Sequence, residues 1–174
     1  MPNSLAQLAA TANSLATKIV SQASAKGLRL AIAESLTGGA LASAVVGVPG
    51  ASAVLLGSIV AYDTPLKSSL LGVDAGHLAR VGAVDREVAV QMAAGARSRL
   101  SMAAGVSPAV TIGVACTGVA GPDPQDGKPV GTVFIAADTP GGPKVLECNV
   151  AGDRAEIRAR VVVLALELVV AALA

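Results

Sequence analysis

Short apolar runs alternate with longer segments of helical periodicity along almost the whole chain. That alternation confines the sequence to layered α/β folds. Leu5, Leu8, Ala12, Leu15 and Ile19 recur at steps of three and four and mark an amphipathic first helix, which Gly27 ends. Leu28 to Ala33 reads as a short buried strand, and Glu34-Ser35-Leu36-Thr37-Gly38-Gly39 turns the chain into a second helix through about Val46. A Pro-Gly loop follows at Val48 to Ser52, then a strand from Val54 to Tyr62 interrupted by Gly57. Asp63 or Thr64 caps a short helix carrying Pro65 and Lys67, and Asp85 caps a longer one reaching Leu100. Ala109 to Ala115 is the next strand, and Cys116 to Pro129 is a Gly/Pro-rich loop. Val130 to Ala137 and Lys144 to Val150 form a strand pair across the turn Thr139-Pro140-Gly141-Gly142, before a closing helix capped by Asp153. Strands joined by so short a turn must run antiparallel. The expectation is a three-layer α/β/α sandwich around a mixed sheet, with residues 1–174 in one domain and the site on loops at strand ends.

Composition narrows the function classes. One Phe, one Tyr and no Trp leave almost no platform for stacking bases, and a formal net charge of +1 leaves no surplus for a phosphate backbone. Nucleic acid is therefore not an expected partner. His77 is the only histidine, and Cys116 and Cys148 lack metal-ligand spacing, so neither a metal nor another cofactor is expected. The two cysteines read as small buried hydrophobes. The apolar tail Val161 to Val170 is shorter than the roughly 20 residues a bilayer span needs and is interrupted by Glu167, so it reads as a core helix and no membrane partner is expected. No basic start followed by an unbroken apolar stretch opens the chain, and a cytoplasmic location is the expectation. Hydrophobic residues at 53% are many for one small core to absorb, which favours self-association as a homodimer or another homo-oligomer.

The strongest local feature is Ala33-Glu34-Ser35-Leu36-Thr37-Gly38-Gly39, a strand running into a helix through a Ser/Thr/Gly turn. Backbone N–H groups at such a turn can hold a phosphate or a developing oxyanion, and Ser35 is placed to attack a carbonyl. The plainer reading is that Ser35 or Thr37 caps the helix. A nucleophilic serine needs a proton acceptor, and the candidate is Lys67, on an apolar helix near the only tyrosine, Tyr62. A lysine buried against aliphatics loses its preference for the charged form and can act as a base; a solvated lysine whose stem covers the helix is the alternative. Tyr62 can donate a hydrogen bond in the site or serve as an amphipathic rim residue. Cys116-Thr117-Gly118-Val119-Ala120-Gly121-Pro122 can wrap a phosphate or sugar, or form a surface turn. Arg154 in Gly152-Asp153-Arg154 suits phosphate, or pairs with Glu156 or Asp153.

In this order, the segments resemble the CinA C-terminal-domain family, whose stand-alone members are nicotinamide-nucleotide amidases. The resemblance rests on Ala33 to Gly39, Val48-Pro49-Gly50-Ala51-Ser52, Val60-Ala61-Tyr62 with Lys67 and Leu71-Gly72-Val73, and Gly82-Ala83-Val84. It continues through Thr117 to Pro122, Lys128-Pro129-Val130-Gly131-Thr132-Val133 and Gly152-Asp153-Arg154, and spans roughly residues 5 to 170. It implies hydrolysis of the carboxamide of nicotinamide mononucleotide, with Ser35 as nucleophile, Lys67 as its base and no metal. Tyr62 would orient the lysine or the amide. Backbone N–H groups of Leu36, Thr37, Gly38 and Gly39 would hold the oxyanion, Glu34 would lie in the same substrate-binding turn, Thr117 and Gly118 would line the nucleotide pocket, and Arg154 would meet the phosphate. Alternatives are an amidase for a different small amide and a non-catalytic nucleotide-binding or interaction module. Three departures stand out: Leu36 where the family commonly has Cys, Asp63-Thr64-Pro65-Leu66-Lys67 where it often has Ser-Asn-Glu-Ala-Lys, and Val81 where it frequently has His. The metal-dependent pyrophosphatase domain of longer CinA proteins is not expected here.

Overall fold

The computed structural model describes residues 4–174. Its first helix, α1 (Leu5–Ala25), begins at a capping box in which the Ser4 hydroxyl and the Gln7 side chain each bond the other residue's backbone N–H. The chain then forms β1 (Arg29–Glu34), α2 (Ala40–Val46), β2 (Leu55–Val60), α3 (Thr64–Leu71), α4 (Ala75–Val81) and α5 (Arg86–Ala104). β3 (Thr111–Gly118), β4 (Thr132–Thr139), β5 (Gly142–Asn149) and α6 (Arg154–Leu173) complete it. The sheet order is β2-β1-β3-β4-β5, with β1 parallel to both its neighbours and β3, β4 and β5 antiparallel in succession. The mixed sheet lies between helical layers, as the sequence led us to expect.

Strand alternation assigns the two faces. Leu30 and Ile32 of β1, Ile112 and Val114 of β3, and Val133 and Ile135 of β4 join the core built with α1, α2 and α6. Ala31, Ala33, Ala115 and Ala136 face the opposite core, with Phe134 and the buried side of α5. Small residues on that face let α5 lie close on the sheet. A Cβ at Gly113 would stand 2.1 Å from the Ala93 carbonyl oxygen, and one at Gly95 would stand 1.9 Å from that of Leu71. α6 buries Ile157, Val161, Val162, Val163, Ala165 and Leu166, so the apolar tail is a core helix. Among the described residues no helix is long and apolar enough to cross a membrane.

Two local expectations are corrected. Cys116, Thr117 and Gly118 belong to β3 and not to the loop after it, because β4 supplies them with partners at Ile135, Phe134 and Val133. The hairpin turn shrinks to Pro140-Gly141, since Thr139 and Gly142 still pair. The second helix follows the turn as expected, beginning at Ala40 once Gly38 and Gly39 have taken φ of +61° and +97°, outside the helical region. A further helix that the periodicity does not mark, α4, carries His77; its N-cap Asp74 accepts the His77 backbone N–H and its Leu78 is buried.

Candidate active site

The site forms at the carboxyl ends of the parallel strands, where ligands of open α/β sheets collect. Ser35 extends the ladder beyond β1: its N–H donates to the Cys116 carbonyl at 3.1 Å. On the other side of β1, the Ala61 N–H donates to the Glu34 carbonyl at 2.9 Å, so the chain leaving β2 is registered against the same turn. α3 then begins at its N-cap Asp63, with Pro65 in its first turn, and directs Lys67 and Leu71 inward. Lys67 thus occupies what would ordinarily be an apolar core position and is fully buried.

The Lys67 Nζ stands 3.1 Å from Ser35 Oγ, 2.7 Å from the Ala61 carbonyl and 3.3 Å from the Tyr62 carbonyl. An uncharged amine in this setting keeps two N–H bonds on the two carbonyls and points its lone pair at the serine hydroxyl. Burial pushes the lysine down from its ordinary 10.5 to about 8, against the opposing pull of the Asp63 and Asp126 charges. Roughly a tenth of the side chains are then uncharged at neutral pH. The geometry can therefore move a proton from Ser35 to Lys67 without a histidine. Among the described residues no group of three or more His, Cys, Asp or Glu is placed to hold a metal ion.

A cavity of about 360 Å³ opens over Ser35. Leu36, Thr117, Gly118, Tyr62 and Arg154 line it together with Ser35, and the sequence reading placed all six in the site. Arg154 donates to the Gly121 carbonyl at 2.7 Å and to the Tyr62 hydroxyl at 3.0 Å, so it spans the cavity mouth. It pairs with neither Asp153 nor Glu156, which are occupied with each other's backbone in the capping box of α6. The Tyr62 carbonyl accepts from the Lys67 Nζ, while its exposed ring lies at the mouth. The Thr117 hydroxyl donates to the Ala83 carbonyl at 2.7 Å, which leaves its oxygen lone pairs as the group a ligand can use.

Glu34, Thr37, Gly38 and Gly39 are corrected as cavity residues. Glu34 is fully buried, and its carboxylate accepts from the Thr37 hydroxyl at 2.7 Å and from the N–H groups of Gly39, Leu41 and Ala42 at 2.9, 3.1 and 2.9 Å. The Ser58 hydroxyl on β2 adds a fifth contact at 3.3 Å. The acid is a structural anchor that ties the Ser35 turn to α2 and β2, and it has nothing left for a substrate. The Thr37 side chain is buried with it, and the Gly38 N–H is taken by the Ser35 carbonyl. Of the proposed oxyanion donors, Leu36 lines the cavity and its N–H has no acceptor among the described residues.

Other residues escaped the sequence reading. Asp123 and Gln125, from the loop after β3, line the cavity, as does Ala83-Val84 before α5. Asp126 from the same loop accepts from the Ala83 N–H at 3.0 Å and ties that loop to the segment before α5. Arg158 donates to the Leu36 carbonyl through Nε at 2.9 Å and to the Thr37 carbonyl through Nη2 at 2.8 Å. Its one sequence signal was a second arginine four residues after Arg154, on the same face of a mostly apolar helix. Cys116 lies beneath the turn, 3.1 Å from the Thr37 hydroxyl, and burial pushes its thiol up to about 11, which keeps it inert. Cys148, expected to be buried like Cys116, is only half-buried on β5; it is free, and its thiol is also pushed up by burial.

A family model described as the CinA C-terminal domain matches residues 12–173. A CinA-like protein of Frankia casuarinae is 51% identical over 140 residues, covering 80% of this chain and 30% of that protein. One of Gemmatimonas aurantiaca is 40% identical over 156 residues, covering 88% and 34%. The chain spans about a third of the length of these curated relatives. Among solved structures, the competence/damage inducible protein CihA from Agrobacterium tumefaciens superposes with a TM-score of 0.83 at 36% identity, covering 92% of this chain and 94% of that one. A CinA superfamily protein from Escherichia coli gives 0.82 at 31% identity, with 91% and 88% covered.

Proposed function

The chain belongs to the CinA C-terminal domain family, and from that premise we propose that it hydrolyses the carboxamide of nicotinamide mononucleotide to nicotinic acid mononucleotide and ammonia. The observation that carries this reading is the buried Lys67 Nζ, 3.1 Å from Ser35 Oγ and held by two backbone carbonyls.

Uncharged Lys67 takes the hydroxyl proton as Ser35 Oγ bonds to the carboxamide carbon. The resulting oxyanion is met by the Leu36 N–H, a contribution of about 3–4 kcal/mol for a well-aimed donor. The lysine then gives its proton to the departing nitrogen. The C–N bond breaks, ammonia leaves, and an ester on Ser35 remains. Water attacks that ester while Lys67 again accepts the proton, and the carboxylate product departs as the serine hydroxyl is restored. Arg154 faces the substrate phosphate from the mouth, exchanging its contact with Tyr62 for charge-assisted bonds to phosphate oxygens. Thr117 and Gly118 border the sugar. No step in this sequence draws on a metal.

Ammonia release from nicotinamide mononucleotide, with EDTA present, tests the reading in wild type, Ser35→Ala and Lys67→Met. Turnover by wild type alone, with both variants folded, is the expected result. Activity persisting in Ser35→Ala removes the nucleophile assignment. Nucleotide binding without ammonia release points to a binding module of the same fold, and turnover of another amide alone redirects the substrate.

A further inference from the structure

The turn that carries Ser35 is a permissive stretch of backbone. Residues 35–39 are not helical, and Gly38 and Gly39 adopt positive φ. A nucleophile on such a turn drifts unless something outside the turn holds it. Two charged side chains do so from opposite directions. Glu34 gathers N–H groups, taking those of Gly39, Leu41 and Ala42. Arg158 gathers carbonyls, taking those of Leu36 and Thr37 in successive peptides. It does not line the cavity, and it meets the site only through the Leu36 and Thr37 carbonyls. Arg154, one helical turn earlier on α6, reaches the cavity mouth.

We propose that Arg158 is a positioning residue for the nucleophile, acting through the Leu36 and Thr37 carbonyls to keep Ser35 Oγ on Lys67 and the Leu36 N–H toward the cavity. Two acceptors on adjacent residues suit the forked, planar donor array of a guanidinium, whereas an ammonium is a single point charge and satisfies them less well. The contact joins residues 121 and 122 positions apart, so the geometry of the nucleophile depends on the docking of α6. The inference rests on the reading of Ser35 as a nucleophile, not on which amide it attacks.

The test is the rate at which a fluorophosphonate labels Ser35, followed by intact mass in wild type, Arg158→Ala and Arg158→Lys. In this reaction the serine oxygen bonds to phosphorus, fluoride leaves and the hydroxyl proton passes to Lys67, so the rate reports the nucleophile without the natural substrate. Arg158→Ala is expected to label about 100-fold more slowly while remaining folded by circular dichroism, the scale of loss for a misplacement near 1 Å. Arg158→Lys is expected between the two, and millimolar guanidinium is expected to restore part of the rate in Arg158→Ala. That rescue separates positioning from general damage, which guanidinium would worsen. A folded Arg158→Ala with the wild-type rate overturns the inference, as does an equal loss in both variants with no rescue. Wild type that labels at Ser35 but releases no ammonia from nicotinamide mononucleotide refutes the substrate and leaves this test intact. Wild type that fails to label removes the nucleophile and the inference with it.

Discussion

Lys67→Met replaces the buried amine with an unbranched apolar chain and isolates the energetics on which the mechanism depends. In the unfolded chain the lysine holds its proton up to its ordinary 10.5, whereas burial in the folded protein brings it down to about 8. Between those values the unfolded state binds more protons, so wild-type stability rises with pH through that window. The penalty on the ammonium, about 3 kcal/mol, is fully present below the folded value and vanishes above the unfolded one. The variant has no such group, and ionisations common to both proteins cancel in the difference. The unfolding free energy of wild type minus that of Lys67→Met should therefore increase by about 2 kcal/mol from roughly pH 7 to 9.5. At neutral pH the variant gains from losing the penalty but leaves the Ala61 and Tyr62 carbonyls without their donor, at about 1–3 kcal/mol each. Its absolute stability therefore stays near wild type or below it. The chain has no Trp, so urea titrations followed by far-UV circular dichroism at stepped pH and constant ionic strength are the suitable assay. A difference that stays flat across the window shows that Lys67 keeps its ordinary ionisation, and the base assignment falls with it.

The same titration should appear in catalysis: kcat/KM is expected to rise with pH and level off above about 8, and a profile flat from pH 6 to 9 contradicts that. Glu34→Ala orphans the Gly39, Leu41 and Ala42 N–H groups and the Ser58 hydroxyl, so chemical denaturation should show a loss of at least about 3 kcal/mol; a loss under 1 kcal/mol refutes its anchoring role. Gly113→Ala forces a Cβ to 2.1 Å from the Ala93 carbonyl oxygen, and thermal melts should show a loss of about 1–3 kcal/mol or more as α5 is pushed off the sheet. Tyr62→Phe removes the hydroxyl that accepts from Arg154 at the cavity mouth; steady-state kinetics should show a KM change larger than the kcat change, and the reverse pattern would place the phenol in the chemistry.

Periodicity and turn residues in the sequence were enough to establish the element order apart from α4, the mixed sheet and the turn carrying Ser35. They depend on neighbours close along the chain, where side-chain patterning, caps and glycine conformations act directly. Asp63, Asp85 and Asp153 all cap the helices they precede for that reason. The motif order also identified Ser35 and Lys67, although nothing local required their side chains to meet. That meeting was decided when β2 registered against β1 and α3 turned Lys67 into the core, a contact between residues 32 apart. The same holds for Glu34, which sequence placed in the substrate-binding turn. Which groups its carboxylate accepts from depends on how α2 and β2 fold around it, and they fill it with backbone donors. Arg158 was the least legible. An arginine on an amphipathic helix has many surface partners open to it, and only the docking of α6 beside the end of β1 presents it with two carbonyls from the other end of the chain. Local patterning determined where the chemical groups lie along the chain; tertiary packing, by burying them and withholding water, decided which of them meet and how their ionisation shifts.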